Sequence, residues 1–198
     1  MVRGSTHSPQ AKTGRRPPVP ACVAALLVLS LAGCGESATA VAPITLTSSA
    51  IQGSSLPALY TCDGRDVPPP LEWGAVPAGT RELVLLVIGL TPSAESGSYG
   101  VSIEWAVAGI DPALHRLDPG RLPPGAYVGA NSAGKHTYSI CPRPGASQRY
   151  QFQVYSVPPR LRVAPNFVGM SALGALSQTS TSTSATGEGA FVAIYKRR

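Results

Sequence analysis

The sequence predicts a mostly β domain made of short strands joined by turns, and three observations support this. The 198 residues include 21 glycines and 20 prolines, a composition that suits many turns and does not suit a helical bundle. Leu83–Ile88 (LVLLVI) is a continuous apolar run, short and flanked by polar residues, as in a strand buried on both faces. Gln151–Val157 (QFQVYSV) alternates apolar and polar residues, which gives a strand one buried face and one wetter face.

The other elements follow in chain order. Arg3, Lys12, Arg15 and Arg16 form a basic start, an uncharged stretch Ala21–Ala32 (ACVAALLVLSLA) follows, and Leu31-Ala32-Gly33-Cys34 closes it. This is the layout of an export signal, and its apolar run is too short for a helix crossing ~30 Å of hydrocarbon. Leu31–Cys34 resembles a bacterial lipobox, which implies a diacylglycerol thioether on Cys34 and cleavage before it. The expected organisation is a signal peptide over 1–33, a small polar tether over 34–42 and one domain over 43–198. Arg15-Arg16 hints at twin-arginine export, but Pro17 and Pro18 stand where that signal wants apolar residues.

Within the domain, Ile44–Thr47 alternates and predicts a first strand, and Asp63–Pro77 reads as a turn-rich loop. Val101–Ile110 (VSIEWAVAGI) predicts another strand, and Glu188–Lys196 predicts a closing one. Phe167, Met170, Leu173, Ala175 and Leu176 predict one short helix near the C-terminus. Ser177–Ser184 (SQTSTSTS) has nothing to bury and reads as a mobile loop.

Charge and cysteine usage narrow the function classes. The chain carries 16 basic and 10 acidic residues. Four of the basic ones and none of the acidic ones precede Cys34, so the mature chain has 12 against 10, or +2. No basic face for nucleic acid remains. With Cys22 in the signal and Cys34 lipidated, Cys62 and Cys141 are left in an oxidising compartment and read as a disulfide closing a loop of ~80 residues. Two separate buried thiols are the alternative. His115 and His136 stand in polar loops and read as surface histidines. No cluster has metal-ligand spacing, and there is no Gly-x-Ser-x-Gly elbow or phosphate-binding glycine loop. Neither an enzyme nor a cofactor is expected.

The stretch Tyr60–Trp73 (YTCDGRDVPPPLEW), followed by Val76–Thr80 (VPAGT), resembles the bacterial, Raf-kinase-inhibitor-like branch of the phosphatidylethanolamine-binding protein family. Gly129–Gly134 (GANSAG), Tyr138, Cys141–Gly145 (CPRPG), Arg149–Phe152 (RYQF) and Val192–Arg197 (VAIYKR) extend the resemblance over nearly the whole mature chain. It implies a two-sheet β-sandwich with a short C-terminal helix and a shallow anion-accepting pocket between loops.

At that pocket the sequence departs from the family. The Asp-Pro-Asp-Ala-Pro motif expected after Leu83–Ile88 is replaced by Gly89-Leu90-Thr91-Pro92-Ser93, which has no carboxylate. Glu104 precedes Trp105 where the family has histidine, and Gln148 replaces the histidine before Arg149-Tyr150. A carboxylate cannot donate to an anion, so phosphate-type head groups should bind weakly or not at all. The ligand-binding candidates are Asp63, Trp73, Glu104, Trp105, Tyr138, Pro142 and Gln148. Against these stand structural readings: core aromatics for Trp73 and Trp105, and a turn pair for Asp63-Gly64. Two functions are expected. One is a lipid-anchored envelope protein, attached to the membrane through Cys34, that binds a small or apolar ligand in a rebuilt pocket. The other is an interaction module acting on an envelope protein, such as a protease inhibitor.

Overall fold

The computed structural model describes residues 41–93, 97–159, 163–177 and 185–198. Its strands are β1 (Ala42–Pro43), β2 (Leu46–Thr47), β3 (Leu71–Trp73), β4 (Glu82–Pro92), β5 (Tyr99–Ile110), β6 (Arg116–Leu117), β7 (Tyr127–Val128), β8 (Ser147–Val157) and, after helix α1 (Gly169–Ser177), β9 (Gly187–Lys196). They form a six-stranded sheet in the order β1-β9-β8-β4-β5-β7 and a three-stranded sheet in the order β2-β3-β6. The long strands pair antiparallel, while the short β1 runs parallel to β9.

The apolar run in β4 is continuous because both of its faces are covered. Leu83, Leu85 and Val87 point with Phe152 and Val154 toward Leu46, Leu71, Trp73 and Leu117 of the small sheet and its neighbours. Val84, Leu86 and Ile88 join Tyr155 and Val157 on the opposite face, where Ala172 and Leu176 of α1 cover them. Each fully buried large aliphatic side chain contributes about 1.5–3 kcal/mol. The helix starts close against the sheet: a Cβ on Gly169 would lie 2.7 Å from Ile103 Cγ2 and 3.0 Å from Ala106 Cβ. Glycine is therefore the residue that fits there.

The mostly β, two-sheet architecture with one short helix is as expected, and differences lie in the short elements. The predicted first strand is reduced to Leu46–Thr47, because Ile44 instead gives its N–H to Glu188 O on β9. Ala42, predicted as tether, is already paired with Gly187. The predicted loop Asp63–Pro77 contains β3, whose alternating burial puts Leu71 and Trp73 in the core. The two-residue strands β6 and β7 carry no sequence signal. The signal peptide, Cys34 and most of the tether lie outside the described residues, as do residues 178–184 of the predicted Ser177–Ser184 loop.

Cys62 and Cys141 form a disulfide with Cα atoms 5.2 Å apart and a sequence separation of 79. Closing so long a loop removes about 4 kcal/mol of denatured-state entropy in chain models.

Candidate functional site

A bulge in β5 organises the site. Val87 pairs with Trp105, and the next residue, Ile88, pairs with Ile103, so Glu104 is one residue too many on β5. Ile103 stays on the helix-facing side while Trp105 lies in the core between the sheets. The extra residue re-aims the strand, as bulges do, and brings the Glu104 carboxylate toward Gly89 rather than the helix side. Ser102 Oγ donates to Glu104 Oε1 at 2.6 Å. A Cβ built on Gly89 would collide with Glu104 Oε1, with Ser102 Oγ at 2.6 Å and with Gln148 Nε2 at 2.7 Å. Tyr150, buried beneath, donates its hydroxyl to Gln148 Oε1 at 3.2 Å.

Gly89, Glu104 and Gln148 thus meet at one point, with Ser102 as a fourth member that sequence reasoning missed. Thr91 lies two residues further along β4 and is exposed. Burial pushes the Glu104 carboxyl above the ordinary 4.5; the Ser102 hydrogen bond opposes the shift and the Asp66 charge adds to it. The phenols of Tyr138 and Tyr150 are also pushed up, chiefly by burial, with Glu104 contributing to both.

The two loops that flank this cluster are pinned to each other. Asp66, in the left-handed backbone region at φ 49°, accepts from Ser139 Oγ at 2.9 Å and from the Ile140 N–H at 3.0 Å. Cys62 N–H donates to Ile140 O at 3.0 Å beside the disulfide. Asp63 accepts from Tyr195 Oη at 2.6 Å and from Arg197 Nε at 3.0 Å. Arg197 Nη1 also donates to Pro142 O at 3.0 Å. Asp63 and Pro142 are therefore brought together by Arg197. Trp73 lies in the core, its indole N–H donating to Leu114 O at 2.7 Å.

Trp105 and Tyr138 meet edge to face, with ring centroids 5.7 Å apart, and the Tyr138 hydroxyl donates to Tyr60 O at 2.8 Å. These two rings line a pocket of about 290 Å³. Asp66, Val67 and Pro68 from the first loop form one side, and Arg121, Leu122, Val128, His136 and Thr137 form much of the rest. Asp63, Trp73, Glu104, Pro142 and Gln148 do not line it. His136, read from sequence as a surface histidine, is exposed but stands at the pocket with Nδ1 2.8 Å from Val128 O. A carbonyl only accepts, so Nδ1 carries the proton and Nε2 is the free nitrogen. Arg121 and His136 had no signal in the sequence beyond being polar residues in loops.

Comparison with known proteins agrees with this architecture. Residues 47–191 match the family model described as phosphatidylethanolamine-binding protein. LppC of Mycobacterium tuberculosis, named as a lipoprotein, is 31% identical over 200 residues, covering 88% of this chain and 94% of its own length. A crystal structure of a phosphatidylethanolamine-binding protein homologue from Chlamydia trachomatis superposes with a TM-score of 0.65 at 27% identity, covering 79% of this chain and 99% of its own. YbcL of E. coli, at 23% identity and a TM-score of 0.62 over 78% of this chain and 99% of its own, shares the fold. The chain belongs to the phosphatidylethanolamine-binding protein family.

Proposed function

We propose that this chain is a lipid-anchored, non-catalytic binding module of the bacterial envelope. Its ligand occupies the pocket walled by Trp105 and Tyr138, and the family's head-group position beside Gly89 is closed by its own side chains. The observation that carries this reading is the pocket itself: an open hollow of about 290 Å³ in which Trp105, Tyr138, Pro68 and Leu122 stand beside the polar Asp66, Arg121, His136 and Thr137. That size is at the small end of the range for ligand sites and suits a single-ring molecule. The anchor rests on Leu31–Cys34 and on the lipoprotein naming of the Mycobacterium tuberculosis relative.

Native mass spectrometry of the full chain released from mild detergent tests the pocket. A small molecule should be retained by the parent and lost from Thr137→Trp, whose ring would fill the space from an exposed position. Retention of the same mass by the variant would put the ligand elsewhere.

A second reading, an interaction module, is favoured by the open end of the large sheet. There Ile194, Arg149, Leu90 and Val101 form one cross-strand row. Val101 and Ile194 are exposed, and Tyr99 beside them is 47% exposed. Loss of a captured envelope protein on Val101→Asp, with the retained small molecule unchanged, would support that reading instead.

A further inference from the structure

Building on the pocket reading, we infer that the ligand is a small organic anion, a flat apolar body carrying one carboxylate-like group that pairs with Arg121. Every other charged group around the pocket is already committed. The Asp66 carboxylate is held by Ser139 Oγ and the Ile140 N–H, one donor on each oxygen. The nearest acid in sequence to Arg121, Asp118, is paired with Arg116. Among the described residues the Arg121 guanidinium has no hydrogen-bonding or ionic partner, although it lines the pocket. A guanidinium presents a planar fork of donors that matches a carboxylate and cannot lose its proton.

The remaining walls select the body of the ligand. The buried ring of Trp105, the ring of Pro68 and the 44% exposed Leu122 offer apolar surface. His136 adds one oriented polar atom, Nε2, because its Nδ1–H is spent on Val128 O. This site is not the head-group position: the Trp105 and Tyr138 rings line it, while Gly89, Glu104 and Gln148 stand apart from it. An anion there meets Arg121 rather than Glu104, and it must lie toward Arg121 and away from the Asp66 carboxylate on the opposite loop, whose oxygens are taken by Ser139 Oγ and the Ile140 N–H.

Calorimetric titration of the full chain in detergent with three probes tests the inference. The probes are benzoate, benzamide (the same ring without charge) and acetate (the charge without the ring). Benzoate should bind tightest, with benzamide and acetate each weaker by about tenfold or more. Arg121→Gln should bring benzoate down to the benzamide level and leave benzamide unchanged. Equal binding of benzoate and benzamide, or indifference of benzoate to Arg121→Gln, would overturn the anionic class while leaving the pocket as a ligand site. Binding of no probe, or binding that Thr137→Trp does not weaken, would overturn both the class and the pocket reading.

Discussion

At the scale of single residues, Gly89 and Glu104 depend on each other. The carboxylate and two amide or hydroxyl atoms occupy the space that a side chain at position 89 would need. The aspartate that the family resemblance implies at this place would meet a second, half-buried carboxylate, and like charges this close cannot both ionise cheaply. Gly89→Asp alone should cost about 2 kcal/mol, and adding Glu104→His should recover most of it; denaturant unfolding of the two variants reads this directly. Glu104 also leaves a pH signature. Its folded-state pKa is raised above its ordinary value by burial, so between those two values the native state binds more protons than the unfolded chain. Stability then falls as pH rises through that window and stays lower above it. Glu104→Gln keeps an acceptor for Ser102 and removes the charge. It should therefore be more stable than the parent at pH 7, and the gap should close toward pH 4. A parent and variant that unfold alike at both pH values would show that the carboxyl is fully solvated.

At the scale of elements, the bulge in β5 explains how Glu104 and Trp105, neighbours in sequence, serve the same end of the sandwich. It also makes an unusual deletion tolerable. Removing Glu104 leaves Ile103 opposite Ile88 and Trp105 opposite Val87 in plain alternation. That deletion should keep a cooperative thermal transition close to the parent's, whereas removing Ala106 should lower its midpoint far more, because it turns Val107 and Ala108 onto the wrong faces before the second irregularity, between Leu83 and Leu85, takes up the shift. The long strands were readable from sequence: Leu83–Ile88 reports burial on two faces, and the alternation of Gln151–Val157 marks a strand, although the structure buries both of its faces, Gln153 and Ser156 included, rather than leaving one wetter. The bulge was not readable, since Val101–Ile110 is apolar enough to fit either register. Strands of two residues, such as β6 and β7, exist only through their partners and carry no local pattern. The candidate site was half readable. Aromatic Trp105 and Tyr138 announce themselves, but Arg121 and His136 sit on loops whose meeting is a product of the tertiary fold.

At the scale of the whole molecule, the fold of the phosphatidylethanolamine-binding protein family is kept, and on the proposed reading the groups that would accept a head group are replaced. The pinned loops support this economy of change. A disulfide, the Asp66 bridge and the Asp63–Arg197 pair hold the frame, so the side chains inside it can vary without loss of the fold. The proposed anchor works at this scale too. Cys34→Ser should leave unprocessed or soluble chain after fractionation, and a variant that still partitions with membranes after normal processing would remove the lipoprotein reading. The central claim is that Glu104, Ser102 and Gln148 close the family's anion position, and calorimetric titration of the full chain with phosphorylethanolamine tests it most directly. The account predicts no heat of binding at millimolar ligand, where even a Kd of 1 mM corresponds to only about −4 kcal/mol. Micromolar binding that Gln148→Ala or Glu104→Ala abolishes would contradict it.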